Sequence, residues 1–245
     1  MTFTDTLPRR SLRDEVFEIL HKRIIAGEIR PSEWLRQEDI ASQLGVSMTP
    51  VREALDLLVA SGLAERELYR GVHVIELTRV EMLDAYGLRF VLEPPAAWKA
   101  AENATPSQIE ELKHLLTGTL ELVHLDDMSH LRELSRKFHA AIIAMCDSPL
   151  LERVYTMASN KFPDWMLYEA MFHHPDALAD SLHLEQEQHR AILEAIAGRD
   201  PQAASCAARD HILTLGKDLE TYLTIPRALI KQKELQFSSQ PIQIE

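Results

Sequence analysis

The sequence is poor in glycine and cysteine and has no apolar run long enough to cross a membrane. Only 8 of its 245 residues are glycine and only 2 are cysteine. A membrane helix requires roughly 18 or more apolar residues, and the first residues lack the apolar core of a signal peptide. The widely separated Cys146 and Cys206 are typical of reduced thiols rather than of a disulfide framework. We therefore expect a cytoplasmic protein that is rich in helix.

Positive charge is also scarce, because the formal net charge is -12. This excess of acid excludes a chain that grips nucleic acid over its whole surface. The charge is uneven, however. Residues 1–80 carry 11 basic and 13 acidic residues, whereas residues 81–245 carry 15 and 25. Only the first third therefore leaves room for a local basic patch.

Three short helices are predicted in the first third of the chain. Residues 11–27 repeat apolar side chains at helical spacing, and residues 37–44 form a second amphipathic segment that ends at Gly45. A third helix follows with Ser47 or Thr49 as its N-cap, Pro50 in its first turn and Met48 just before it.

Two short apolar segments on either side of Arg70-Gly71, residues 63–69 and 72–77, read as a small β-hairpin. Three helices followed by a hairpin predict a winged helix-turn-helix domain over residues 9–77. The spacing alone leaves open a plain helical hairpin that serves only for packing.

The rest of the chain shows only helical patterns, which predicts an all-α bundle of six or seven helices over residues 78–225. Pro94-Pro95 should kink or split the first helix, and Phe162-Pro163 should interrupt the fourth. Residues 226–245 read as a polar, frayed C-terminal tail. The candidate helices cover residues 79–103, 106–124, 128–145, 149–171, 176–198 and 201–222. The predicted fold class is therefore mainly α.

The start of the third helix carries the residues that a DNA-reading helix needs. Arg52 can bridge O6 and N7 of a guanine, and the hydroxyls of Ser47 and Thr49 can reach phosphates. In the hairpin, Arg70 and Gly71 can approach the minor groove, where arginine favours the negative potential and glycine permits close contact.

The stretch "LGVSMTPVREALDLLVASG", residues 44–62, together with "RGVHV", residues 70–74, closely resembles the GntR family of bacterial transcription regulators. The resemblance implies a dimer that binds a palindromic operator on double-stranded DNA, with the base contact at Arg52. Two positions depart from the family pattern. Met48 stands where arginine is usual, which removes a phosphate or base contact, and Ser32 stands where glycine is usual in a turn.

Three histidines lie on the apolar stripes of three different predicted helices: His139, His189 and His211. A single histidine on an apolar face is more often a hydrogen-bonded core residue than a metal ligand. Three inward imidazoles all need partners, and a shared divalent metal such as Zn or Ni would satisfy them. The pattern alone leaves both interpretations open.

The segments "YGLRFVLEPPAAWKAA", "SRKFHAAIIAMCDSPLL" and "EQHRAILEAIAGRDPQAA" resemble the FCD ligand-binding domain, which occurs in the FadR branch of the GntR regulators. The resemblance implies a metal at His139, His189 and His211 that helps bind a small organic acid. Ser135 occupies the usual aspartate position, so that carboxylate ligand is missing. Asp147, in place of the usual Asn, lies too far along the chain to replace it. Either the three histidines hold the metal together with water or effector, or the site is metal-free.

Arg89 is a second candidate for the effector site, and it shares a helix face with Tyr86 and Glu93. It either forms an i,i+4 ion pair with Glu93 or faces the pocket and binds a carboxylate. The Arg-x-x-x-Glu motif of the resemblance favours the pocket, and we expect Arg89 and Tyr86 to contact the effector.

The sequence as a whole predicts a homodimeric repressor that releases DNA when a small carboxylate binds its C-terminal domain, and not an enzyme. One alternative is a metal-dependent enzyme that uses the three histidines, although no general base or nucleophile motif accompanies them. Another is a metal sensor with no organic effector.

Overall fold

The computed structural model describes residues 11–25, 28–119, 128–162, 164–172 and 175–238. The chain divides into two compact units, with the boundary between Glu76 and Leu77. This boundary lies one residue before the one expected from the sequence. Among the described residues, no helix is long and apolar enough to span a membrane. Residues 9–10, 26–27, 120–127, 163, 173–174 and 239–245 of the predicted segments lie outside the described residues.

Within its described residues, the first unit contains three helices and a two-stranded antiparallel sheet. Val16, Leu20 and Ile24 of the predicted stripe are each 2% exposed, so the apolar face of the first helix forms part of the core. The strands pair in register from Ala64↔Val74 to Glu67↔Gly71. The elements are α1 (Leu12–Ile25), α2 (Gln37–Leu44), α3 (Met48–Ala60), β1 (Ala64–Glu67) and β2 (Gly71–Val74).

The turn between α2 and α3 depends on Gly45, which caps α2 in the left-handed conformation with φ 66°. Glycine adopts this conformation without the steric cost that a Cβ would add. Ser47 is the N-cap of α3, in extended conformation and without a side-chain cap hydrogen bond. Met48 is the first residue of the helix and not, as the sequence suggested, the residue before it. Thr49 lies inside the first turn.

The second unit consists of helices packed around α4. Helix α4 contacts α10, α7, α6, α9 and α11, and α10 also packs along α9. Phe138, Ile143, Ile192 and Ile196 are large members of the core, each at most 1% exposed. The helices are α4 (Arg79–Asn103), α5 (Pro106–Thr119), α6 (Met128–Ala144), α7 (Pro149–Asn160), α8 (Asp164–Phe172), α9 (Pro175–Ala197), α10 (Pro201–Leu223) and α11 (Arg227–Ser238).

Pro94 and Pro95 do not split α4, which runs as a single helix from Arg79 to Asn103. Each proline lacks the N–H that would bond a carbonyl one turn back. Burial offsets this loss, because four alanines in the following turns pack in the core: Ala96, Ala97, Ala100 and Ala101. The expected interruption near Phe162-Pro163 does occur, since α7 ends at Asn160 and α8 begins at Asp164.

The segment expected to be a frayed tail contains α11, which packs on α4. Ile230 is 3% exposed and Glu234 is 9% exposed. A Cβ added at Gly87 of α4 would lie 2.6 Å from the Phe237 ring, so the absence of a side chain there lets Phe237 approach. The expectation was wrong because α11 is ordered by contacts with distant residues, and its inward face includes a charged glutamate.

Candidate functional site

The first turn of α3 is open to solvent. Ser47, Met48, Thr49 and Arg52 are all exposed, whereas the opposite face is fully buried through Val51, Ala54, Leu55 and Leu58. No acidic residue lies in this turn, so the positive end of the helix dipole and its free N–H groups are available to an anion. The fold therefore presents the predicted contact residues together on one surface.

The turn of the hairpin differs in detail from the sequence prediction. Arg70 donates from Nη1 to Oε1 of Glu67 at 2.7 Å, and its guanidinium lies 5.0 Å from the centre of the Trp34 ring. Gly71 begins β2 with φ 117°, a conformation that favours glycine. Tyr69, which sequence reasoning missed, is 98% exposed and is therefore the most exposed side chain of the turn.

The three predicted histidines meet in the second unit. His139 comes from α6, His189 from α9 and His211 from α10, and all are at most 4% exposed. Nε2 of His139 lies 2.9 Å from Nε2 of His189. One ring nitrogen from each histidine lies within 4.8 Å of those of the other two. Helices far apart in sequence thus converge on one point.

Neighbouring side chains orient two of these rings. Nδ1 of His139 lies 3.0 Å from Oε2 of Glu93, and Nδ1 of His211 lies 3.0 Å from Oε1 of Gln188. A hydrogen-bond acceptor close to Nδ1 favours the tautomer in which Nδ1 carries the proton. Nε2 is then left as the atom that can bind a metal. Phe138 stacks on the ring of His189 with centroids 4.8 Å apart.

The donor set fits a divalent metal ion. Burial, followed by the charge of His139, lowers the pKa of both His189 and His211 well below its usual value. These two imidazoles are therefore neutral near pH 7, which is the form that binds metal. Three imidazole nitrogens within one small volume suit Zn²⁺ or Ni²⁺.

Arg89 forms the ion pair with Glu93 that the sequence offered as one interpretation. Its Nε donates to Oε1 of Glu93 at 2.6 Å, and its guanidinium lies 4.7 Å from the centre of the Phe162 ring. Burial disfavours the ionised form of Glu93, but Arg89 and His139 outweigh it and hold the pKa of Glu93 well below its usual range. Arg89 also lines the cavity beside the histidines.

That cavity offers about 40 Å³ to the centres of water-sized molecules and is partly open to solvent. Sequence reasoning missed several polar residues in its wall, including Tyr155, Ser159, Glu185 and Asp218. Burial and the charge of Glu185 raise the pKa of Asp218 to about 7. Two of the missed residues had a signal, because Glu185 lies one helical turn from His189 and Asp218 two turns from His211. The lining residues are Arg89, Ser135, Arg136, His139, Tyr155, Ser159, Asp164, Leu167, Met171, Ser181, Glu185, His211, Leu215 and Asp218.

Tyr86 is not among the residues that line this cavity. Its hydroxyl donates instead to Oε1 of Glu234 at 3.0 Å, and it is fully buried beside Gly216. Ser135 does line the cavity, and its hydroxyl donates to Oε1 of Glu185 at 2.9 Å. Asp147 is exposed in the turn after α6. The structure thus joins Arg89 to the histidines but gives Tyr86 a contact with α11.

Comparison with known families and proteins agrees with this two-unit arrangement. Residues 12–74 match "Bacterial regulatory proteins, gntR family", and residues 84–214 match "FCD domain". The chain is 28% identical over 206 residues to the "Probable D-xylose utilization operon transcriptional repressor" of Paenarthrobacter nicotinovorans, which covers 84% of this chain and 88% of that protein. It is 26% identical over 209 residues to the transcriptional repressor GlaR of Escherichia coli, and the alignment covers 80% of this chain and 90% of GlaR.

A solved structure has the same fold. The E. coli McbR/YncC structure aligns with 87% of this chain and 100% of its own at a TM-score of 0.58 and 24% sequence identity. By sequence, the transcriptional regulator McbR of E. coli is 28% identical over 204 residues. These relatives are all described as regulators of transcription, and none is described as an enzyme.

Proposed function

This chain belongs to the gntR family of bacterial regulatory proteins and carries an FCD domain, and from this premise we propose that it is a repressor released from DNA by a small carboxylate. As a family member it is a regulator of transcription and not an enzyme. Two of its relatives are named as repressors, which supports repression rather than activation. A regulator that binds bacterial DNA acts in the cytoplasm.

We propose that α3 reads the operator. Arg52 contacts a guanine in the major groove, while Ser47, Thr49 and the free N–H groups of the helix start contact phosphates. Arg70 and Gly71 position the hairpin at the minor groove. The exposure of all these residues in the first unit supports the assignment. A homodimer would place two such helices on the half-sites of a palindrome.

The observation that carries the effector proposal is the buried histidine centre opening on the cavity beside Arg89. His139, His189 and His211 would hold a divalent metal such as Zn²⁺ or Ni²⁺. When bound, the ion supplies a Lewis acid for a carboxylate oxygen. Arg89 adds a permanent positive charge at the same cavity, and the protonated hydroxyl of Tyr155 is a hydrogen-bond donor, since burial raises its pKa.

Effector binding would act on DNA affinity by favouring one arrangement of the dimer over another. The cavity lies within the second unit, and residues of α4, α6, α7, α8, α9 and α10 line it. A ligand that binds one arrangement more tightly than the other shifts the equilibrium between the two. The size of the shift is limited by the ratio of its affinities for the two arrangements.

The test is metal analysis of the purified protein, followed by thermal-shift screening of small organic acids with and without the metal. We expect about one equivalent of metal per chain, and a rise in melting temperature with an acid that also releases operator DNA in a gel-shift assay. Metal binding that alone releases DNA would identify a metal sensor. Absence of both metal and acid binding would refute the proposal for this cavity.

A further inference from the structure

We infer that Glu185 is the carboxylate ligand of the three-histidine centre. This inference rests on the proposed metal site and names a further residue of this chain that holds the ion. Glu185 lies on α9 one helical turn before His189, and side chains at i and i+4 share a helix face. It also lines the cavity into which His139 and His211 project.

The distances place the carboxylate beside the correct ring nitrogen. Oε1 of Glu185 lies 3.9 Å from Nε2 of His189, and this same Nε2 lies 2.9 Å from Nε2 of His139. The oxygen therefore approaches the side of the rings on which the ligand nitrogens meet. Glu93, in contrast, lies 3.0 Å from Nδ1 of His139, which is the nitrogen on the far side of the ring from Nε2.

The charge of the centre also favours a carboxylate ligand. The imidazoles contribute no negative charge, and a divalent ion held by side chains that are at most 4% exposed needs a charged partner. Glu93 is already paired with Arg89 at 2.6 Å. A carboxylate oxygen is a regular zinc ligand, and coordination by Glu185 would neutralise part of the charge of the ion.

Ser135 has a positioning role in this arrangement. Its hydroxyl donates to Oε1 of Glu185 at 2.9 Å across the gap between α6 and α9. Metal-binding carboxylates are commonly held by such hydrogen bonds. The serine therefore does not bind the ion itself but orients the carboxylate that does.

The experiment measures Zn²⁺ binding by calorimetry to the full-length chain after chelation, in the absence of any organic acid. Glu185→Gln keeps the size of the side chain and removes its charge. We expect a loss of affinity at least as large as the roughly 10–100-fold that removal of an outer-shell partner causes. Glu187→Gln, at an exposed position of the same helix, should bind like wild type.

Asp218→Asn is the matched control for electrostatics, because Asp218 lies in the same cavity wall. A ligand role predicts a much larger loss of affinity for Glu185→Gln than for Asp218→Asn. Equal losses would mean that zinc affinity depends on the total negative charge of the cavity wall and not on coordination by Glu185, and the inference would be wrong. If Glu185→Gln fails to fold, Glu185→Asp retains the charge with a shorter reach and should bind zinc with intermediate affinity.

A rescue variant and a spectroscopic readout complete the test. Ser135→Asp in the Glu185→Gln background returns a carboxylate to the same part of the cavity and should restore most of the affinity. The visible spectrum of bound Co²⁺ should change in Glu185→Gln and stay unchanged in Glu187→Gln. A wild-type chain that binds no Zn²⁺ would refute the metal site itself, whereas equal binding by wild type and Glu185→Gln would refute only the role of Glu185.

Discussion

Arg89 and Glu93 form a buried ion pair on α4, with Nε 2.6 Å from Oε1 and both side chains 5% exposed. The other carboxylate oxygen of Glu93 lies 3.0 Å from Nδ1 of His139. The pair therefore connects a permanent positive charge to the histidine centre through a single carboxylate. In such an arrangement each charge depends on the other, because water is excluded from both.

We expect Arg89→Met to lower the free energy of unfolding of the metal-free protein by about 3–5 kcal/mol, since it leaves a buried carboxylate without its partner. The double variant Arg89→Met/Glu93→Gln should recover a large part of this loss because the uncompensated charge is gone. Urea unfolding in the presence of a chelator measures both. A double variant no more stable than Arg89→Met would contradict the explanation.

Tyr86→Phe should affect stability and not the histidine centre. The hydroxyl of Tyr86 donates to the carboxylate of Glu234 on α11, and a hydrogen bond to a charged group contributes roughly 1.5–3 kcal/mol. We expect a loss of about that size in the free energy of unfolding, with unchanged Zn²⁺ affinity. Tyr222→Phe, at a partly exposed position, is the control. A clear loss of effector or metal affinity in Tyr86→Phe would show that Tyr86 contributes to the effector site, against this prediction.

Local signals in the sequence predicted much of the fold. The predicted bounds of residues 37–44 and 79–103 coincide with those of α2 and α4, because both show apolar spacing, Gly45 ends α2 and a capping box begins α4. Thr78, for example, accepts a hydrogen bond from the N–H of Glu81, whose side chain in turn accepts from the N–H of Thr78. Their positions on apolar stripes left the convergence of the three histidines as one of two interpretations, and the resemblance to the FCD domain favoured it.

Contacts between distant parts of the chain were not predictable in this way. Glu234 is 148 residues from its partner Tyr86, and Glu185 is 50 residues from Ser135. The helix spacing places Glu185 on the face of His189 but does not name its partner on another helix. The packing of α11 and the partners of the cavity-wall carboxylates therefore become visible only when the helices are packed together.

Asp218 should make stability fall as the pH rises. Burial and the charge of Glu185 raise its pKa to about 7, from a usual value of 3.8, so the folded protein binds a proton that the unfolded chain has already lost. Between these two values the unfolded state binds fewer protons, and the contribution of Asp218 to stability decreases with pH. Asp218→Asn should remove this decrease.

We expect Asp218→Asn to match wild type near pH 4 and to be more stable by about 2 kcal/mol at pH 8, a value discounted for the part of the charge that solvent screens. Melting temperatures measured in chelator over this pH range test the prediction. Asp180→Asn, at an exposed position, controls for the loss of one negative charge. A difference between Asp218→Asn and wild type that does not change with pH would show that Asp218 ionises normally.

Arg52→Ala should weaken operator binding without unfolding the protein. The side chain is exposed on the outer face of α3, and a bidentate contact to guanine is worth about 1–3 kcal/mol of discrimination. A gel-shift series with the operator and with unrelated DNA should show lost preference and little change in non-specific binding. Arg13→Ala, also exposed in the first unit, is the control. Unchanged affinity and sequence preference would remove Arg52 from the base-reading role.

Met48→Arg should tighten DNA binding. Met48 is the first residue of α3 and is 53% exposed, so an arginine there could extend from the same surface as Arg52 toward a phosphate. One added phosphate contact should steepen the dependence of log affinity on log salt by about 1. The same change places a positive charge at a helix N-terminus, which should cost a few tenths of a kcal/mol of stability. Binding measured over a range of salt concentrations separates the two effects, and an unchanged salt slope would mean that no phosphate of the operator lies within reach of this position.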